Sequence, residues 1–169
     1  MVKLNPGVVL VILLAYFGVK YSEKLSVPTN WFNKPAVVVV DDKRNVAAPA
    51  PDLQAVVAPI TNVLKVVSKD TTRDHAADCF LVGDLAGDFA DVIVKPGLVK
   101  TNKAIREGWK SAGLATIDNH VISNNYPGSK EALDGAISST LGLDNAPADM
   151  TKAYNIFKAI QWAAYQAVK

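Results

Sequence analysis

An uncharged apolar run near the N-terminus constrains the chain most, because it is the only stretch that suits a lipid bilayer. The run extends from Val8 to Val19 and reads VVLVILLAYFGV. A helix that crosses the hydrocarbon core needs about 20 residues, so the run alone is short, whereas a span from Leu4 to Tyr21 comes near the lower limit. Lys3 and Lys20 would then extend outward from the two ends of that span.

We therefore predict a single membrane helix within residues 1–25. Its anchoring side chains are Val8, Leu10, Ile12, Leu14, Tyr16, Phe17 and Val19. The lysines after the run slightly outnumber those before it, which favours a C-terminal part on the cytoplasmic or virion-interior side. Two other interpretations stay open: a cleaved secretory signal, although no A-x-A-like cleavage site follows the run, and an apolar helix buried in protein.

Composition limits what the rest of the chain can be. Half of the 169 residues are hydrophobic and a fifth are charged, which is enough for one compact domain beyond the anchor. The net charge of +2, with few arginines, gives no basic surface that would predict a nucleic-acid partner. The single cysteine, Cys79, excludes an internal disulfide and a zinc site built from several cysteines.

Residues 26–51 predict an extended linker. Pro28 and Pro35 interrupt any helix that continues from the anchor, and the AAPAP sequence at positions 47–51 is semi-rigid. Val37 to Val40 is the one strand-like run, and its four valines are β-branched. It would have to pair with a distant segment, add to the sheet of a partner, or lie as an extended buried segment.

Residues 52–169 show helical rather than strand periodicity. The spacing of apolar residues, the capping residues and the glycines together predict a compact bundle of four or five helices, so the fold class is mainly α. The predicted helices extend from Asp52 or Pro59 to about Lys69, from Thr71 or Thr72 to Lys95, from Thr101 to Gly113, from Ser129 to Gly142, and from Asp149 or Thr151 almost to Lys169.

The helix that ends near Lys95 has two contrasting faces. One face carries mostly small residues, which permit close approach of another helix: Cys79, Val82, Gly83, Ala86, Phe89, Ala90 and Ile93. The other carries five aspartates: Asp74, Asp78, Asp84, Asp88 and Asp91. This acidic row is interpreted either as a solvated face or as carboxylates that bind a cation or act as an acid and base pair. His75 and Cys79, one turn apart, form a weaker candidate pair of metal ligands.

The last helix is apolar most of the way around its circumference. A small domain usually covers a terminal helix on only part of its surface, so some aromatic area is expected to remain for a partner. The predicted partner-interface residues are Trp162, Phe157, Tyr154 and Tyr165, with Trp162 as the anchor. In the alternative interpretation, Trp162 covers the core of its own domain.

Motifs of common enzyme classes are missing from the sequence. There is no G-x-S-x-G, H-E-x-x-H, C-x-x-C or Gly-rich phosphate loop, and the Glu followed nine residues later by Asp or Cys of signal-anchored phage endolysins is absent. We therefore predict a non-enzymatic structural or assembly subunit without a cofactor, in a bacterial envelope or a bacteriophage virion. Its expected partners are the lipid bilayer and other protein subunits, as a homo- or hetero-oligomer. The alternative is a signal-anchored envelope hydrolase, or a small binding domain, that uses the aspartate row.

Overall fold

The computed structural model describes residues 44–68, 75–111 and 129–169. Within these ranges the chain is helical and contains no β-strand, which confirms the predicted mainly α fold with four or five helices for this part of the chain. The five α-helices are α1 (Pro51–Ser68), α2 (His75–Asp88), α3 (Asn102–Trp109), α4 (Ser129–Leu141) and α5 (Met150–Gln166).

Several sequence predictions concern residues outside the described ranges. They are the anchor at residues 8–19, the strand-like run at 37–40 and most of the linker at 26–51. None of the helices in the described ranges is long and apolar enough to cross a membrane. The division of the chain into anchor, linker and helical domain therefore stays a prediction.

Helix α1 includes Pro59 in its interior rather than at its start. Its entry is fixed by Gln54, whose backbone N–H donates to the Ala50 carbonyl at 3.0 Å and whose side-chain amide donates to the Pro49 carbonyl at 2.7 Å. Pro59 is exposed, so the backbone carbonyl that its ring deprives of a partner lies near the solvent side of the helix. The opposite side buries Val57, Ile60 and Leu64.

Helix α2 continues directly into a π-helix at Phe89–Val94. A bond between residues five apart marks the wider turn: the Lys95 N–H donates to the Ala90 carbonyl at 2.9 Å. After this helix, the Leu98 N–H donates to the Ile93 carbonyl at 3.1 Å and the Gly97 N–H donates to the Val94 carbonyl at 2.9 Å, which is the bond pair of a Schellman motif. Gly97, at φ +69°, then reverses the chain in a conformation that residues with a side chain rarely adopt. The small face predicted for this helix is buried along its whole length.

The predicted N-cap residues begin α3 and α5. The Thr101 hydroxyl accepts a hydrogen bond from the Ala104 N–H at 3.2 Å, and the Asp149 carboxylate accepts one from the Lys152 N–H at 3.1 Å. Helix α4 ends before Gly142, which has φ +76°. Capping chemistry that is legible in the sequence thus sets these three helix ends.

Helix α5 is the centre of the bundle, because it packs against α1, α2, the π-helix and α4. Beside it lies a cluster of three rings, with centroid distances of 5.5 Å for Phe89–Trp109, 4.7 Å for Phe89–Phe157 and 5.2 Å for Trp109–Phe157. All three side chains are fully buried, so the core is continuous from the π-helix to α5. This position explains why α5 is apolar on most sides.

Candidate functional site

Polar side chains from α2 and α5 meet along one seam, which we call the α2–α5 seam. On one side of the seam, Asp84 lies on α2 and Asp91 lies on the π-helix. The residues on the α5 side are Tyr154, Lys158, Gln161 and Tyr165, and Arg44 and Phe80 lie at one end of the seam.

Two glycines on α2 bring α5 close enough for the seam to form. A Cβ atom added to Gly83 would lie 2.7 Å from Cδ1 of Tyr165, and one added to Gly87 would lie 2.6 Å from Cδ of Gln161. Carbon atoms in contact are normally about 3.5–4.0 Å apart, so a side chain at Gly83 would overlap the Tyr165 ring, and one at Gly87 would require the end of the Gln161 side chain to move. The four-residue spacing places both glycines on the same face of α2.

The more buried end of the seam is organised around Tyr165. Its hydroxyl donates to Oδ1 of Asp84 at 2.6 Å and lies 3.3 Å from the amide nitrogen of Gln161. Burial raises the pKa of the Tyr165 phenol well above its usual value, and the hydrogen bond to Asp84 raises this pKa further. Tyr165 is therefore a neutral hydrogen-bond donor at physiological pH and does not act as a base.

Arg44 closes this end of the seam from the side of the linker. Its guanidinium lies 3.8 Å from the centroid of the Phe80 ring, and its Nη2 lies 4.0 Å from Oδ2 of Asp84. Phe80 in turn packs edge-on against Tyr165, with a centroid distance of 6.0 Å. Asp84 thus faces a phenol on α5 and a guanidinium that precedes α1.

The more exposed end of the seam is organised around Asp91. Oδ1 of Asp91 accepts a hydrogen bond from the Tyr154 hydroxyl at 3.0 Å, and its Oδ2 lies 3.4 Å from the Lys158 ammonium. Partial burial raises the pKa of Tyr154, and the neighbouring Asp91 carboxylate adds to this effect. A salt bridge with this much exposure contributes little to stability, about 0–1 kcal/mol.

The predicted aspartate row is therefore divided by its contacts. Asp84 and Asp91 face α5, Asp88 is half-buried between them, and the side chains of Asp74, His75 and Asp78 lie outside the described part of the molecule. Among the described residues, no group of three His, Cys, Asp or Glu side chains could hold a metal ion. Asp84 and Asp91 instead bind hydroxyl and cationic groups of the same chain. The interpretation of the row as a solvated face did not predict these contacts.

A second polar cluster ties α3 to the loop between α4 and α5. The side-chain amide of Asn102 donates to the Leu141 carbonyl at 2.7 Å and to the Leu143 carbonyl at 3.0 Å. The Arg106 guanidinium contacts the Gly142 carbonyl and the Asp144 carboxylate. These contacts satisfy three successive carbonyls at the end of α4, so the cluster caps that helix. Two buried atoms of the cluster, Oδ1 of Asn102 and Nε of Arg106, have no hydrogen-bond partner among the described residues.

The predicted partner-interface residues separate into two pairs. Phe157 is fully buried in the ring cluster and Tyr165 is buried against Gly83, so both pack inside their own domain. Tyr154 and Trp162 are half-buried and remain accessible at the outer edge of α5. Of these four residues, Tyr154 and Trp162 are the ones that present accessible aromatic surface, and their role in partner binding stays a prediction.

Comparison with protein-family models, curated proteins and solved structures finds no match for this chain. The contacts of the seam were not predicted from the sequence, although the glycine pair is visible as G-D-L-A-G at positions 83–87. The sequence prediction of close helix approach was based on the small face that includes Gly83, and Gly87 was not part of that face. Which helix, and that it would bring Tyr165 to Asp84, required the tertiary structure.

Proposed function

We propose that this chain is a non-enzymatic structural or assembly subunit, held at a membrane by residues 8–19 and joined to other chains through its helical domain. The observation that supports this proposal most is that the carboxylates of the seam contact side chains of the same domain. Asp84 and Asp91, the carboxylates with the best-defined surroundings, both bind side chains from α5. Both carboxylates therefore have partners inside the domain, as expected of polar groups that hold two packed helices together.

The hydrolase alternative makes an opposite prediction about the same aspartate. Asp84→Asn keeps the size of the side chain and a hydrogen-bond acceptor for Tyr165, so we expect folding to be retained with a modest loss of stability. We also expect no hydrolytic activity on peptidoglycan or small esters in either the wild type or the variant. Wild-type activity that disappears in Asp84→Asn, with the fold intact by circular dichroism, would establish the alternative.

Membrane attachment is tested with the full-length chain. We expect the protein to stay in the membrane pellet after carbonate extraction, and Ile12→Arg with Leu14→Arg to release it, because each charge at a helix centre costs about 2.5–3.5 kcal/mol. Val27→Arg, which adds a similar charge outside the apolar run, is the matched control and should stay in the pellet. Extraction of the wild type, or an intact mass that lacks the first 21 or so residues, would refute a retained anchor.

Partner binding is tested at the accessible aromatic residues. We expect Trp162→Ala to weaken an assembly by about 30-fold, corresponding to about 2 kcal/mol, while helical melting of the monomer changes little. Asn155→Ala, at an exposed position on the same helix, is the control. If the wild type sediments as a monomer at every accessible concentration, alone and in membrane extracts, and Trp162→Ala only lowers the melting temperature, Trp162 covers the core and this part of the proposal fails.

A further inference from the structure

Arg44 precedes α1, and its side chain contacts two residues of α2, Phe80 and Asp84. The guanidinium lies over the Phe80 ring at 3.8 Å and beside Asp84 at 4.0 Å, so it meets a π-face and a carboxylate at once. Through Phe80 and Asp84 it also borders Tyr165 on α5. The side chain of Arg44 is about 28% exposed, which leaves the contact partly shielded from water.

The segment between Arg44 and α1, residues 45–50, is held mainly at its two ends. At the far end, the Gln54 side chain and backbone bind the Pro49 and Ala50 carbonyls at 2.7 Å and 3.0 Å. Between these points Ala47 and Ala48 are exposed, and the one backbone bond made within the segment joins the Val46 N–H to the Arg44 carbonyl at 3.1 Å. Residues 44–50 are thus a strap with a fastening at each end.

We propose that Arg44 is a latch that fastens the chain entering from the N-terminal side onto α2 and α5. The latch joins the strap to the same Asp84 and Tyr165 that connect the two helices. A pull on the N-terminal side of the chain is therefore resisted at Phe80 and Asp84 before it reaches the first turn of α1.

The latch also shortens the tether that the sequence predicts, and this consequence rests on the proposed function. With residues 1–25 in a membrane, the part of the predicted linker that precedes the latch is residues 26–43 rather than residues 26–51. Its reach is then at most about 60 Å when fully extended. The linker would then attach to the domain at the face of the bundle that carries Phe80 and Asp84, and this face would be the one nearest the tether.

Limited proteolysis of the full-length chain in detergent micelles tests the latch without a membrane. Elastase cuts after small aliphatic residues, so it reports opening of the strap through cleavage after Val46 and Ala47, identified by intact mass. We expect Arg44→Ala to accelerate this cleavage about fivefold, because the cleavage rate follows the population of the open strap and a partly exposed cation–π contact has that strength. Arg44→Lys, which keeps the charge above the ring, should give a smaller increase, and Asn45→Ala should give none.

A double-mutant cycle separates the latch from general loosening of the domain. Phe80→Leu removes the ring beneath the guanidinium, so adding Arg44→Ala to it should accelerate strap cleavage by less than twofold. Cleavage in the loop at 142–147 serves as the internal reference, and it should stay unchanged in Arg44→Ala. Equal strap cleavage in the wild type and Arg44→Ala, or full additivity with Phe80→Leu, would overturn the latch, whereas failure of carbonate retention would overturn only the membrane proposal.

Discussion

Replacement of Gly83 by alanine tests the close approach of α2 and α5 most directly. The new Cβ would lie 2.7 Å from Cδ1 of Tyr165, and this ring cannot move away freely, because it packs against Phe80 and its hydroxyl binds Asp84. Overpacking of this kind costs about 1–3 kcal/mol, and a weakened hydrogen bond to a carboxylate costs about 1.5 kcal/mol more. Better helix propensity returns about 1 kcal/mol. We therefore expect Gly83→Ala to lower the free energy of unfolding by about 2 kcal/mol.

Gly135→Ala is the matched control, because it makes the same chemical change inside a helix. Gly135 is exposed on α4, and an added Cβ would meet nothing within 4 Å. Only helix propensity changes, so this variant should gain about 0.5–1 kcal/mol. Gly87→Ala should lie between the two, because the group in its way is the flexible amide of Gln161 rather than a packed ring.

Urea unfolding of the three variants, followed by circular dichroism at 222 nm, measures these differences. Equal slopes of free energy against urea would show that the variants unfold from comparable states, so that their midpoints can be compared. The reasoning is refuted if Gly83→Ala is as stable as the wild type or gains stability as Gly135→Ala does. In that case α5 would not be seated against Gly83, and the contact between Tyr165 and Asp84 would have another origin.

Three further predictions concern the polar contacts. Tyr165→Phe should lower the free energy of unfolding by about 1.5 kcal/mol at neutral pH. Because the pKa of Tyr165 is raised in the folded state, the wild type should lose this extra stability as the pH rises above about 10. Urea unfolding of both proteins at pH 7 and pH 11 would check this. Asn102→Ala leaves the Leu141 and Leu143 carbonyls without their side-chain donor, so we expect a loss of about 2–3 kcal/mol by thermal unfolding, and a neutral result would contradict the capping role. Thr101→Ala removes the N-cap of α3 and should cost about 1 kcal/mol, whereas Thr101→Ser should cost much less.

Local chemistry explains which structural features were predictable from the sequence. Thr101 and Asp149 cap their helices because a side-chain oxygen beside a free backbone N–H acts within one turn, whatever the rest of the chain does. Gly142 ends α4 because its backbone conformation is costly for any other residue. The buried face of α2 follows from periodicity alone, since apolar residues three and four apart share one side of a helix.

Contacts between helices could not be predicted in the same way, because they depend on which faces meet. The acidic row looked solvated, since its spacing says nothing about the helix that packs beside it, and only the tertiary structure brings Tyr165 to Asp84 and Tyr154 to Asp91. The apolar circumference of α5 suits its central position in the bundle, which the sequence did not indicate, and partner binding at Tyr154 and Trp162 stays a prediction. The sequence by itself determined where helices begin, end and turn an apolar side, because those properties arise from neighbours along the chain. Tertiary structure decided which residues form the α2–α5 seam, because that outcome arises from close packing between segments that lie far apart in sequence.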